Sequence, residues 1–122
     1  GSARSLVGCG DGLTPAGDDI LAGVIATLRL VRAPDAEMLA GLLVPPVLDA
    51  AETSTTLLSR SLLRHAAAGR VALPVADLFA ALTGSGDPAD SFRRLLSVGH
   101  SSGPALAAGI GIGLRVLAGG NE

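Results

Sequence analysis

A glycine-rich run that leads directly into an apolar segment constrains the fold of this chain most strongly. Gly8, Gly10 and Gly12 occupy alternate positions, so backbone N–H groups can turn towards one point without obstruction by side chains. Thr14 and Pro15 then suit the cap and the first position of a helix, where the missing N–H of proline costs nothing. The run therefore predicts a concave loop at the start of a helix that extends from Thr14 to about residue 32.

The remaining apolar periodicity and the placement of proline and glycine predict an all-α fold of five to six helices in one domain, residues 1–122. Further helices are expected at 36–44, from 53 or 54 to 68, from 74 to about 82, from 88 to about 98, and from 104 to about 117. Pro45 and Pro46 are expected to stop or kink the second helix, with a short helical piece at 47–52. Gly69 suits a helix C-terminal cap.

The last segment is ambiguous between helix and strand. Gly109, Gly111 and Gly113 alternate with isoleucines, a period of two that also suits a strand. Its length, its alanine content and Pro104 near its start favour a helix. The two polar, glycine-rich loops at 8–14 and 99–103 are expected to form a cleft.

Composition excludes several function classes. Aromatic residues make up 2% of the 122 residues, all nine basic residues are arginine, and the net charge is −2, which argues against nucleic-acid binding. The apolar runs are shorter than the ~20 residues that a membrane span needs. The single cysteine, Cys9, fits a reducing cytosol and is interpreted as a small buried residue. Gly1 and Ser2 are interpreted as a cloning remnant.

Two readings apply to the glycine-rich loop and to the acids that follow it. The loop can bind phosphate or another oxyanion at the helix N-terminus, or it can be a purely structural turn. Asp18 and Asp19 can be ordinary helix-dipole partners in the first turn. Alternatively, one of them can hold Mg²⁺, orient a substrate amide or act as a base.

Two further polar segments are candidates for the same site. Thr55–Ser59 and Thr56–Arg60 are i,i+4 pairs that would give a helix a polar face with one guanidinium, unless this face is simply solvated. His100 lies beside Ser101 and Ser102, where it can donate hydrogen bonds or act in acid–base chemistry. A Ser–His nucleophile is disfavoured because adjacent loop residues rarely reach the geometry it needs. His65, on a helix among alanines, is expected to be a surface or filler residue.

Several of these stretches together resemble the AllH-like family. The resemblance covers the run from Gly8 to Gly23 (GCGDGLTPAGDDILAG), the segment TTLLS at 55–59, LLRHA at 62–66 with Gly69, and VGHSSG at 98–103. It extends from about Leu6 to Leu114. Members of the family tend to be longer, with an N-terminal portion that this sequence lacks, so the resemblance implies either the excised C-terminal part of a longer protein or an abbreviated member.

The resemblance implies a function in purine and allantoin catabolism. Relatives act as a subunit of oxamate carbamoyltransferase, beside FdrA-type and AllG-type subunits, and this enzyme converts oxalurate and phosphate to oxamate and carbamoyl phosphate. The resemblance implies a site made of the glycine loop (Gly10, Gly12, Leu13), Thr14, Asp18, Asp19, Thr56, Ser59 and His100. Arg60, Ser101 and Ser102 are added to it as binding residues from the polar segments described above.

Three hypotheses follow for the function of the chain. The first is a carbamoyltransferase subunit in an oligomer, which binds a small anionic carbamoyl or ureido compound at the loop. The second is a non-catalytic helical assembly module. The third is a Mg²⁺-dependent hydrolase that uses Asp18 and Asp19.

Overall fold

Six α-helices make up the regular structure of residues 7–8, 16–99 and 101–119, which the computed structural model describes. We name them in chain order: α1 (Ala16–Leu30), α2 (Ala36–Ser54), α3 (Leu57–Ala67), α4 (Leu73–Leu82), α5 (Pro88–Leu96) and α6 (Ser102–Ala118). These residues contain no β-strand, which confirms the predicted all-α class and the helical interpretation of the last segment. None of the six helices is both long and apolar enough to cross a membrane.

Helix α1 lies at the centre of the fold. Ten of its fifteen residues are buried, and it contacts α2, α3 and α6. Leu21, Ile25 and Leu28 form its contribution to a core that also includes Val47 of α2 and Leu63 of α3. A second, smaller cluster joins α4, α5 and α6. Helix α1 is therefore buried on more than one face, because three helices pack against it.

Glycines allow α1 and α6 to pack very closely. A Cβ atom on Gly109 would overlap the backbone carbonyl oxygen of Ile20, and one on Gly113 would lie 2.8 Å from the Cβ of Thr27. A Cβ on Gly23 would lie 2.9 Å from the amide nitrogen of Ile110. Residue numbers increase together along both helices in these contacts, so α1 and α6 run parallel.

Helix α3 also runs parallel to α1. Thr55, just before α3, contacts Asp18 in the first turn of α1, whereas Gly69, just after α3, approaches Arg29 in the last turn of α1. Gly69 ends α3 with a φ of +78°, and its N–H donates to the Ala66 carbonyl at 2.9 Å, which confirms the predicted cap. Since α1, α3 and α6 are parallel, their N-termini lie at one end of the molecule.

Pro45 and Pro46 do not end the second helix, so the prediction that they stop it is wrong. Helix α2 continues through both prolines to Ser54. An interior proline costs about 3 kcal/mol, partly because it frees the carbonyl four residues earlier. Those carbonyls belong to Gly41 and Leu42, which are exposed, so water can bond them. Burial of Val44, Val47 and four alanines offsets the remainder.

Some predicted helix ends also require correction. Helix α3 begins at Leu57 rather than at 53 or 54, because Ser54 still belongs to α2 and Thr56 caps α3. Helix α6 begins at Ser102, before Pro104, so the second polar loop is shorter than expected. Helices α1 and α5 end two residues earlier than predicted, at Leu30 and Leu96. The predicted start of α5 at residue 88 is confirmed, and Asp87 caps this helix, since its carboxylate accepts from the Ala89 N–H at 3.1 Å.

Candidate functional site

Asp18 is the centre of a buried cluster of polar groups at the N-terminal end of α1. The side chain of this residue is fully buried. One carboxylate oxygen accepts the Gly8 N–H at 2.8 Å, and the other accepts the hydroxyl of Thr55. We call the group formed by Gly8, Asp18, Thr55, Thr56 and Ser59 the polar junction, because it joins the first loop, α1 and the turn between α2 and α3.

Local sequence explains how the turn reaches Asp18. Thr55 is fully extended, with φ −147° and ψ 178°, which takes the chain away from the end of α2. The hydroxyl of Thr56 then accepts the Ser59 N–H at 3.1 Å and caps α3. Two consecutive threonines thus perform different tasks: Thr55 donates to α1, and Thr56 starts α3.

Glycine at position 8 lets the first loop approach this turn. Gly8 has a φ of +83°, a region that side chains disfavour, and a Cβ atom there would overlap the carbonyl oxygen of Ser54. Val7, the preceding residue, is buried in the core. Residues 7 and 8 are therefore held by apolar burial of Val7 and by the hydrogen bond from Gly8 to Asp18.

Ser59 and Arg60 carry polar atoms that have no protein partner among the described residues. The Ser59 hydroxyl oxygen and the Arg60 Nε atom are both buried and form no hydrogen bond there. Such groups ordinarily cost about 1–3 kcal/mol when they stay unsatisfied. Their position in the first turn of α3, next to Thr56 and near Asp18, is what a binding site for a polar molecule would provide.

Three helix N-termini surround the same end of the molecule. Each N-terminus carries roughly half a positive charge from the aligned peptide dipoles. Asp18 and Asp19 place two buried carboxylates there, of which Asp19 is 1% exposed. The dipole of α1 favours both negative charges, because both acids lie in its first turn.

The structure locates only part of the predicted site. Five of the predicted residues lie at the end of the molecule where α1 and α3 begin: Asp18, Asp19, Thr56, Ser59 and Arg60. Ser101 is exposed before α6, and Ser102 lies in the first turn of α6 rather than in a loop, at the same end. The predictions for Cys9, Gly10, Gly12, Leu13, Thr14 and His100 lie outside the described residues.

The predicted polar face of i,i+4 pairs is wrong. Thr55 and Thr56 precede α3, so they do not form helical pairs with Ser59 and Arg60. The capping preference of Thr56 and the bond from Thr55 to Asp18 replace that pattern. Spacing alone does not distinguish a helical pair from a cap followed by a first turn.

The described residues include no group of three or more His, Cys, Asp or Glu side chains that could hold a metal ion. Both oxygens of Asp18 already accept protein hydrogen bonds. The expectation of Mg²⁺ at Asp18 and Asp19 stays a prediction.

Gly8 and Thr55 are members of the junction whose roles sequence reasoning missed. The sequence predicts Gly8 in a loop whose amides bind an anion, yet its N–H donates to a protein carboxylate. The sequence predicts Thr55 on a helix face, yet its hydroxyl donates to Asp18. Two adjacent threonines before α3 are a sequence signal for this arrangement. Only one of them can be the N-cap of the helix, so the hydroxyl of the other is available for a different partner.

The fold and the junction define an all-α protein in which the turn before α3 bonds a buried carboxylate in the first turn of the parallel helix α1. The model of one protein family, described as oxamate carbamoyltransferase subunit AllH, matches residues 6–114. This match spans most of the chain, including every residue of the polar junction, and the chain belongs to this family. No solved structure matches the chain.

Proposed function

We propose that the chain serves as the AllH-type subunit of an oxamate carbamoyltransferase and binds a small anionic carbamoyl or ureido compound, or phosphate, at the polar junction. The family supports the subunit assignment. The observation that carries the binding site is the buried Ser59 hydroxyl, unbonded among the described residues, beside the capped N-terminus of α3.

Charge and hydrogen-bonding capacity at the junction suit this class of ligand. Helix N-termini and a guanidinium attract a carboxylate or phosphate group. A carboxylate offers about four lone-pair positions, so Asp18 can bond Gly8 and Thr55 and still accept an amide N–H from a ureido group. A ligand with an anionic end and an amide end satisfies both features.

The expected reaction requires little covalent chemistry from this chain. Transfer of the carbamoyl carbon from oxalurate to phosphate breaks a C–N bond, forms a C–O bond and returns a proton to the oxamate nitrogen. Oriented donors at the helix ends would stabilise the oxyanion that develops on the carbamoyl oxygen. In this scheme Asp18 is a positioning residue that holds Gly8 and Thr55, and His100 is the candidate proton donor.

Thermal unfolding in the presence of ligands tests this proposal. The purified chain is unfolded with phosphate, carbamoyl phosphate, oxamate, oxalurate or Mg²⁺, and a ligand at 100 times its Kd should add about 2.7 kcal/mol of stability. We expect a shift with at least one carbamoyl or oxamate compound. Ser59→Ala should remove most of this shift, because it deletes the buried hydroxyl and little else.

Ser61→Ala is the matched control, since Ser61 is exposed on the same helix. It should leave the ligand-induced shift unchanged. A shift that persists in Ser59→Ala would place the ligand elsewhere, and no shift with any carbamoyl compound would refute a complete site in this chain. A shift with Mg²⁺ alone would instead favour the hydrolase hypothesis.

One observation favours an assembly role as a second candidate function. Large apolar side chains are exposed on α2 and at the start of α3 and α4: Met38, Leu42, Leu57 and Leu73, from 59% to 75% exposed. Exposed apolar surface of this kind is typical of contacts with other chains. Co-expression with FdrA-like and AllG-like subunits should give a stable complex that Leu42→Glu weakens, whereas Glu37→Gln, an exposed change on the same helix, leaves it intact.

A further inference from the structure

A cavity lies among α1, α3, α4 and α6, and its α1 residues follow Asp18 by one and two helical turns. It has a volume of about 390 Å³. Buried alanine and valine side chains form its floor, and exposed residues form its rim. The floor consists of Ala22, Ala26, Ala66 and Val75, and the rim consists of Leu58, Ser61, His65, Arg70 and Ala72. Small floor residues thus leave space that larger side chains would fill.

The rim carries positive charge but no negative charge. His65 and Arg70 are the ionisable side chains among the described residues that line the cavity, and none of those residues is acidic. The Arg70 Nε–H donates to the His65 Nδ1 at 3.0 Å. This bond fixes the guanidinium at the edge of the cavity, and its other N–H groups are available to a ligand.

We infer that this cavity binds a small molecule with an apolar body and one anionic head group, such as a carboxylate. The apolar floor accommodates the body, and Arg70 bonds the head at the rim. Leu58, which is 52% exposed, would be covered by the bound molecule. A bound ligand would remove the apolar surface of Leu58 from water, and this removal is the main favourable contribution to the free energy of binding.

This site is distinct from the one proposed at the polar junction. Ala22 and Ala26 follow Asp18 on the same face of α1, one and two turns further along, about 6 and 12 Å from it. Carbamoyl and ureido compounds are polar throughout, so an apolar floor gains little from them. The two sites therefore select different ligands, and one can fail without the other.

Displacement of a fluorescent probe tests the inference. The probe is 8-anilinonaphthalene-1-sulfonate, which is apolar with one anionic group, and the competitors are octanoate and the neutral octanamide. We expect octanoate to displace the probe and octanamide to do so at least about tenfold less well, since a charge-assisted hydrogen bond is lost. Arg70→Gln should weaken octanoate binding by about tenfold and abolish its advantage over octanamide.

Two variants separate this cavity from other apolar surfaces. Ala72→Phe narrows the rim from an exposed position before α4 and should abolish probe binding while the chain stays folded. Arg32→Gln is the matched control, because Arg32 lines the neighbouring groove but not this cavity, and it should leave octanoate binding unchanged. Unchanged binding in both Arg70→Gln and Ala72→Phe, or equal competition by octanoate and octanamide, would overturn the inference.

Discussion

The polar junction and the contact between α1 and α6 hold the same helix, α1, by opposite means. At the junction, Asp18 accepts hydrogen bonds from the Gly8 amide and the Thr55 hydroxyl, so hydrogen-bond donors and acceptors determine which segments contact α1. Along the contact with α6, Gly23, Gly109 and Gly113 specify the partner by the space they leave empty. Hydrogen bonds therefore position the N-terminal end of α1, whereas close steric fit to α6 positions the rest of the helix.

This difference separates the effects of mutation. At the contact with α6, added atoms cause damage, because backbone atoms of the partner helix cannot move out of the way locally. At the junction, removed atoms cause damage, because buried polar groups lose their partners. We propose ligand binding at the junction rather than at the contact with α6, because hydrogen-bonding groups can exchange a protein partner for a ligand and closely packed backbone atoms cannot.

The largest effect is expected from an added methyl group in the contact between α1 and α6. Gly109→Ala would place its Cβ on the carbonyl oxygen of Ile20 and should lower the free energy of unfolding by about 3 kcal/mol. Chemical denaturation measures this change. Gly111→Ala, two residues away in the same helix, has nothing within 4 Å of its Cβ and should stabilise the protein by about 0.5–1 kcal/mol. Equal effects of the two variants would contradict the steric account.

An intermediate effect is expected when the junction loses one donor. Thr55→Val keeps the shape of the side chain but removes the hydroxyl that bonds Asp18, and should cost about 2 kcal/mol. The exposed Thr53→Val is the control and should change stability by less than about 0.5 kcal/mol. In an Asp18→Ala background, Thr55→Val should lose most of its effect, because the shared bond is already absent. Full additivity would show that the bond contributes nothing.

The smallest effect is expected at the cap of α3. Thr56→Ala removes the acceptor for the Ser59 N–H and should cost about 1 kcal/mol. Asp35 occupies the N-cap of α2 without a side-chain hydrogen bond, so Asp35→Ala should cost less than about 0.5 kcal/mol. Thermal unfolding compares the two. If Asp35→Ala cost as much as Thr56→Ala, the residue type at the N-cap, and not the hydrogen bond that Thr56 accepts, would account for the loss of stability.

Much of the fold could be predicted from local signals. Asp87 followed by Pro88, and Gly69 after α3, marked helix ends correctly because capping depends on neighbouring residues only. Pro45 and Pro46 were misleading, since burial of Val44 and Val47 on the opposite face overrides their local preference. The start of α3 was also misplaced, because the bond from Thr55 to Asp18 joins residues 37 positions apart.

The candidate site was only partly predictable for the same reason. Asp18, Thr56 and Ser59 were identified as residue types suited to binding, but their mutual placement depends on the parallel packing of α1 and α3. The apolar cavity with Arg70 at its rim gave no sequence signal, because its lining comes from four helices and the turn between α3 and α4.

The sequence by itself determined an all-α chain with two acids in the first turn of α1, because helix formation depends on residues close together in the chain. Only the tertiary structure decided what the alternating glycines of α6 mean: Gly109 and Gly113 face α1, one turn apart, whereas Gly111 faces open space. It also decided that the turn before α3 reaches Asp18 in the first turn of α1. Both outcomes depend on which helices pack side by side, and that choice is made by burial and backbone contact between residues far apart in the chain.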